Sequence, residues 1–210
     1  MQHFINLHTH NLADQNAIIN FYAAFEQSGT VPCCSLGIHP RYPEQASYAQ
    51  LESFAAQRNV LAIGECGLDK LCDTEWSLQE NIFREQIELA NRLGKPLIIH
   101  CVRAYSECIH LLSAAKVPVI FHGFNRNLRI AQMLLDQGFY LSVGAAVFNP
   151  AFEAVFTALP TDRLFFETDD RADLEIGTVY KRAAELKKIG VESLILQVKH
   201  NFQKVFNNAR

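Results

Sequence analysis

Five short apolar runs in this chain each stop at a histidine or an acidic residue. Phe4-Ile5-Asn6-Leu7 leads into His8, with His10 two residues further on, and Val60-Leu61-Ala62-Ile63-Gly64 leads into Glu65. Leu97-Ile98-Ile99 stops at His100, Val119-Ile120-Phe121 at His122, and Leu164-Phe165-Phe166-Glu167-Thr168 at Asp169. Short apolar runs alternating with helical stretches read as buried parallel strands. Side chains at the ends of successive strands meet only if the strands wrap into a barrel with one shared mouth. The pattern therefore predicts an α/β fold of the (β/α)8, TIM-like kind, with its chemistry at the C-terminal ends of the strands.

The order of elements supports this. Strands are expected at 4–7, 17–22, 33–38, 60–64, 97–100, 118–121, 139–143 and 164–167. Helices are expected at 45–57, 77–93, 104–115, 127–137, 150–158, 175–189 and 191–207. In 77–93, Ser77 and Glu80 have capping-box spacing, and Gly94 with Pro96 ends the helix. Gly138 and Gly190 are expected to end two others. Strand, helix, strand in repetition implies right-handed crossovers and a parallel sheet.

At 210 residues the chain is at the short end for such a barrel, and its 49% hydrophobic content is enough for a substantial core. No linker, charge block or repeat divides it, so one domain spanning 1–210 is expected. A net charge of −3 gives no global basic field to attract nucleic acid. A phosphate-bearing substrate would have to be held by metal ions and a few local cations, which argues against a sequence-reading DNA binder and not against a nuclease. Cys33, Cys34, Cys66, Cys72, Cys101 and Cys108 form no Cys-x-x-Cys pair, and they read as reduced thiols. The N-terminal stretch lacks a signal-peptide pattern, and no segment is apolar for long enough to span a bilayer. A cytoplasmic protein without membrane contact or obligate protein partner is expected.

His8 and His10, at i and i+2 on an extended segment, project to one side, a natural way to hold a divalent ion. Glu65 ends a run too apolar to bury a carboxylate without a compensating cation. His100 and His122 each end an apolar strand. One such histidine alone reads as a hydrogen-bonded core residue, but two in successive strands beside His8, His10 and Glu65 read as ligands. Asp169 is suited both to ligate metal and to take the proton from a bound water, with Asp170 beside it as the competing carboxylate. Asp69 either orients a ligand or caps the next segment. Imidazole mixed with carboxylate, without thiolate, suits Zn, Mn, Fe or Mg in an open site. Six ligands exceed the needs of one tetrahedral ion, whereas two divalent metal ions sharing Glu65 use them all. Cys66 and Cys101 follow proposed ligands directly, and strand alternation turns them outward. Substrate contacts are expected from His39, Arg103 and Arg126, with His39 also placed to donate to a ligand or simply to pack. Arg171 is a further candidate, and each arginine reads equally as a solvated surface residue.

The chain resembles the TatD-type metal-dependent deoxyribonucleases, within the amidohydrolase-like barrels. The resemblance rests on His8-Thr9-His10, Gly37-Ile38-His39-Pro40, Ala62 to Asp69, Gln79 to Gln86, Pro96 to His100, Phe121-His122-Gly123-Phe124, Tyr140 to Gly144, Glu167-Thr168-Asp169 and Asn201 to Phe206. It implies a distorted barrel with one metal held by His8, His10, Glu65 and Asp169, and another by Glu65, His100 and His122. It also implies hydrolysis of phosphodiester bonds in DNA, with Asp169 and Glu65 as the catalytic carboxylates. The chain departs from the family in having Asn6 where an Asp is usual and a shorter stretch between His10 and Gly37. Its arginine lies three residues after His100 rather than two, and Asp170-Arg171-Ala172-Asp173 follows Asp169 in place of a Pro-Tyr-Leu-like loop. Two other readings stand beside the nuclease: an amidohydrolase or phosphatase acting on a small metabolite, and a metal-binding barrel without turnover.

Overall fold

In the computed structural model, which describes residues 4–206, eight strands follow one another in a single sheet, each parallel to the next. They are β1 (Asn6–Thr9), β2 (Ala17–Phe21), β3 (Cys34–Leu36), β4 (Val60–Asp69), β5 (Leu97–Val102), β6 (Val119–Phe121), β7 (Tyr140–Val143) and β8 (Leu164–Phe166). Seven α-helices lie between and after them: α1 (Tyr48–Ala55), α2 (Trp76–Leu93), α3 (Tyr105–Leu112), α4 (Leu128–Asp136), α5 (Pro150–Ala158), α6 (Ile176–Lys187) and α7 (Val191–Phe206). Every expected strand and helix is present, with ends shifted by a few residues. Residue 207, the last of the expected final helix, lies outside the described residues.

The barrel is distorted at its start. Only residues 10–16 return the chain from the end of β1 to the start of β2, and at about 3.4 Å per residue they span that gap with none to spare for a helix. A 3₁₀ turn, Phe25–Thr30, stands between β2 and β3. The short segment before Gly37 therefore costs the fold two crossover helices and leaves all eight strands in place.

Two helix ends differ from the expectation. The N-cap of α2 is Glu75, whose carboxylate accepts from the Ser77 and Leu78 backbone N–H groups, so Ser77 is already inside the helix. A carboxylate at that position also complements the helix dipole. The capping box occurs on α1 instead, where Ser47 and Gln50 satisfy each other's backbone donors. Helix α6 ends on Lys188 in the left-handed region (φ 55°), two residues before Gly190. Gly94 (φ 64°) closes α2 as expected.

Strands β1 to β8 alternate side chains between the barrel interior and the helix layer. Phe83, Phe121, Phe156, Phe165, Phe166 and Tyr180 are among the fully buried large side chains, and burying each stabilises by about 2–3 kcal/mol. The six cysteines are all free thiols, and the buried Cys66 Sγ turns away from the mouth, toward the Ile98 carbonyl.

Strand β4 is the longest and runs five residues past Gly64. Gly67 sits opposite His100 in the β4–β5 register with φ 140°. A Cβ there would lie 2.1 Å from the His100 carbonyl oxygen, so only glycine allows the two backbones to come this close. The approach carries β5 against the stretch of β4 that bears Glu65 and Asp69. These two carboxylates are four residues apart and so emerge on the same face of the strand.

The ring closes weakly between β1 and β8. Among the described residues the only bridge between them is Thr9 to Asp169, just past β8, where the His10 N–H donates to the Asp169 carbonyl (3.2 Å) and the Asp169 N–H to the His8 carbonyl (3.0 Å). Side chains complete the seam. The Asn6 amide donates to Thr168 Oγ1 (2.8 Å) and accepts from the Thr168 N–H (3.1 Å), while Thr168 Oγ1 donates to Thr9 Oγ1 (3.1 Å). An aspartate at position 6 could accept in this pairing but not donate. Here the chain's departure from Asp has a local structural use.

Candidate metal centre

All six expected ligands point into one space at the barrel mouth, around the carboxylate of Glu65. Its Oε1 accepts from His100 Nδ1 (2.6 Å), His122 Nε2 (2.7 Å) and His39 Nε2 (3.2 Å). Its Oε2 faces His8 Nε2 at 3.4 Å and His10 Nε2 at 3.8 Å. Asp169 Oδ1 stands 3.5 Å from His8 Nε2 and 3.7 Å from His10 Nε2. The two oxygens of one carboxylate thus serve two groups of nitrogens.

The group around Oε2 matches the spacing of ligands about one ion. Two atoms each about 2.0–2.1 Å from a tetrahedral centre lie roughly 3.4 Å apart. The His8–Glu65, His8–Asp169, His10–Asp169 and His10–Glu65 separations cluster around that value, too long for good hydrogen bonds. His8 has an inaccessible side chain, and neither of its ring nitrogens finds a hydrogen-bond partner among the described residues. Unpartnered buried nitrogens are costly unless something else binds them. The donor set and the orphaned imidazole both fit a cation. Three sets of ligand atoms lie within reach of a common ion: His8, His10 and Glu65; His8, His122 and Asp169; and His39, Glu65 and His100.

The protonation behaviour of the metal-free cluster follows from burial against charge. Burial alone would push the His8 imidazole down, but Asp169 and Glu65 beside it carry it up to about 9. His122 and His100 are likewise lowered by burial and raised further by Glu65, with Asp69 adding to the effect on His100. Burial works to raise Glu65, yet the surrounding imidazoles, His122 foremost, hold it well below the usual carboxylate range. Asp169 is held at about 2, where its contact with His8 outweighs burial. His10 and His39 are lowered, chiefly by burial.

Residues around the ligands hold them in place. Asp69, fully buried, accepts from Arg41 Nη2 (2.6 Å), the Leu71 N–H (2.7 Å) and His100 Nε2 (3.3 Å). It therefore contacts the ring of the candidate ligand His100 and caps a turn. Glu167, buried beneath the mouth, accepts from the Gly123 N–H (2.6 Å), with His122 Nδ1 3.5 Å away. Glu167 escaped the sequence reading, although it lies two residues from Asp169, a spacing that in extended chain puts both side chains on one side. Asp169 itself adopts a left-handed conformation (φ 53°), one that aspartate tolerates better than most residues.

A cavity of about 510 Å³ opens over the cluster. Its floor includes Glu65, His100 and Asp169, and its wall includes Tyr22, His39, Arg41 and Tyr42. A second hollow of about 250 Å³ adjoins it at Asp169 and Asp170 and is lined by Gly123, Asn125 and Arg171. His39 is brought into contact with Glu65 as well as with the cavity. Arg103 is exposed, at φ 56°, and Arg126 is exposed with its Nε donating to the Tyr105 hydroxyl (3.2 Å). Neither lines these two hollows. Arg41, Tyr22 and Tyr42 escaped the sequence reading, although Arg41 follows His39-Pro40 in the same loop, because their contacts are with residues distant in the chain.

A barrel of eight parallel strands with histidines and carboxylates gathered at its mouth defines a metal-dependent hydrolase. The family described as TatD related DNase matches residues 2–207. The chain is 31% identical to an uncharacterized metal-dependent hydrolase of Buchnera aphidicola, over 82% of this chain and 73% of that protein. It is 33% identical to the 3'-5' ssDNA/RNA exonuclease TatD of Cronobacter sakazakii, over 63% of this chain and 55% of that one. The crystal structure of YJJV, a TatD homologue from Escherichia coli, superposes with a TM-score of 0.85 at 23% identity, covering 98% of both chains. The chain belongs to the TatD family of metal-dependent hydrolases.

Proposed function

We propose that this protein is a cytoplasmic phosphodiesterase that cleaves single-stranded nucleic acid from an end, acting as one unit over its whole length. The observation that carries the reading is the division of Glu65, with Oε1 facing His100, His122 and His39 and Oε2 facing His8 and His10. A carboxylate shared in this way suits two divalent ions, one with His8, His10 and Asp169, the other with His100 and His122. When bound, the ions supply Lewis acidity toward phosphoryl oxygens and lower the pKa of water. The similarity to the 3'-5' ssDNA/RNA exonuclease TatD of Cronobacter sakazakii supports nucleic acid as the substrate.

The chain's own residues contribute orientation and proton transfer. Glu65, buried and ionised, fixes the imidazoles around it. Asp69 holds the His100 ring and the Arg41 guanidinium in place. The Asp169 carboxylate, with a side chain 38% exposed to the cavity, receives the proton of the attacking water. Arg41, on the cavity wall, meets a non-bridging phosphate oxygen of the strand.

A second reading, hydrolysis of a small phosphate ester or amide, draws on the exposed positions of Arg103 and Arg126, which leave Arg41 and Arg171 as the cations at the two hollows. One experiment separates the two. Purified protein with Mn, Mg or Zn is given single-stranded DNA, RNA, a chromogenic phosphodiester, a phosphomonoester and an amide panel. Cleavage of the diesters, reduced more than about 100-fold by Glu65→Gln, is the expected result, since loss of a mere outer partner of a ligand costs 10–100-fold. Turnover confined to monoesters or amides supports the second reading, and no turnover by folded, metal-loaded protein refutes both.

A further inference from the structure

We propose that Tyr42, backed by Tyr22, is a stacking platform for the terminal base of a nucleic-acid strand; the proposal rests on the phosphodiesterase reading above. Both rings line the cavity over the metal ligands. They stack on each other with centroids 5.4 Å apart and planes 29° apart. Tyr42 is 37% exposed, so one ring face lies against Tyr22 while part of the side chain stays open to solvent. No hydrogen bond to either hydroxyl is found among the described residues, so neither ring is there to anchor a buried polar contact.

Position makes the pair more than a surface ornament. Tyr22 meets the His10 ring at 5.7 Å, and Tyr42 meets the His39 ring at 5.4 Å. His10 and His39 in turn face the two oxygens of Glu65. The aromatic surface therefore begins one side chain away from the place where the scissile phosphate must sit, the offset between a nucleotide's phosphate and its own base. The Tyr42 backbone is pinned by its N–H donating to the His39 carbonyl (3.0 Å) and its carbonyl accepting from the Gln45 N–H (3.1 Å), so the ring is presented from a fixed turn. Arg41, between His39-Pro40 and Tyr42 in sequence, places a cation on the same wall. Aromatic rings beside a cation are how proteins hold single-stranded nucleic acid without reading its sequence, because every base has a π-face. A small phosphate ester without a base or other flat ring has no use for such a surface.

The test compares metal-loaded wild type, Tyr42→Ala and Tyr42→Phe on two oligonucleotides identical except that one is abasic at the cleaved terminus. Wild type is expected to prefer the complete strand in kcat/KM by about 5- to 150-fold, mostly through KM. Tyr42→Ala should bring that ratio within about twofold of unity, and Tyr42→Phe should keep it. Equal cleavage of both strands by wild type, or a wild-type ratio in Tyr42→Ala, overturns the platform. Calorimetric binding of thymidine 5′-monophosphate against 2-deoxyribose 5-phosphate reads the same preference without turnover. Absence of all diester cleavage would thus sink the phosphodiesterase reading, while the binding ratio still decides the role of Tyr42.

Discussion

Metal binding should expel protons, and the number can be worked from the cluster. With His8 raised to about 9 in the metal-free protein, its ring is about 99% protonated at pH 7. A ligating imidazole must be neutral, so each ion that captures His8 displaces close to one proton. His100 and His122 are raised as well, and their capture adds to the count. With His8 alone, the apparent Kd for zinc or manganese weakens about tenfold per pH unit, roughly 100-fold from pH 8 to pH 6. The assay is isothermal titration calorimetry across that range in buffers of different ionisation enthalpy. Zero net proton release, with an affinity flat between pH 6 and 8, would refute the assignment of these rings as ligands. A stability consequence follows with a definite sign. A histidine whose folded pKa is raised contributes stability that is full below 6.5 and is lost as pH rises through about 9. For His8, fully buried between Glu65 and Asp169, this amounts to about 3 kcal/mol. In a chain of this size that is a fall in Tm of roughly 6–12 °C for the metal-free protein between pH 6.5 and pH 9.5, and the metal-loaded protein should not show it.

Asp69→Asn removes the charge that Arg41 and His100 share, and it should weaken metal affinity about 10–100-fold in a chelator competition. A change under threefold would mean that Asp69 serves only its turn at Leu71. Gly67→Ala forces a Cβ against the His100 carbonyl in a backbone region hostile to side chains, and it should cost about 2–4 kcal/mol in chemical denaturation. Wild-type stability in that variant would show that β4 and β5 do not approach as closely as described.

The fold was legible because its signal is periodic. Most strands are short apolar runs and the helices show a face repeating at 3.6 residues, while the strand expected at 17–22, the weakest of the eight patterns, is present as Ala17–Phe21. The candidate ligands were legible because each sits at, or within two residues of, the point where an apolar run stops. What stayed hidden depends on distant partners. Strand β4 was expected to end at Gly64, where the apolar run stops, yet it continues to Asp69, with Gly67 there for close passage of β5. Ser77 looked like a cap by spacing, but Glu75 accepts from the Ser77 and Leu78 N–H groups, starts the helix two residues earlier and carries a charge that suits its N-terminus. Arg41 shows its role only beside Asp69, 28 residues away, and Tyr42 only against Tyr22. Local pattern carries the scaffold, and tertiary contact carries the lining of the site.

The joint between β1 and β8 has a consequence for how the protein holds together. Among the described residues the first and last staves of the barrel share one bridge, at Thr9 and Asp169; Asp169 is itself a candidate ligand, and His8 and His10 flank Thr9. A cation gripped there fastens chain segments about 160 residues apart, as a clasp fastens the two ends of a bracelet. Catalytic readiness and closure of the ring are then one event, and chelation should loosen amide protection first along Asn6–Thr9 and Leu164–Asp169, well before the helices notice.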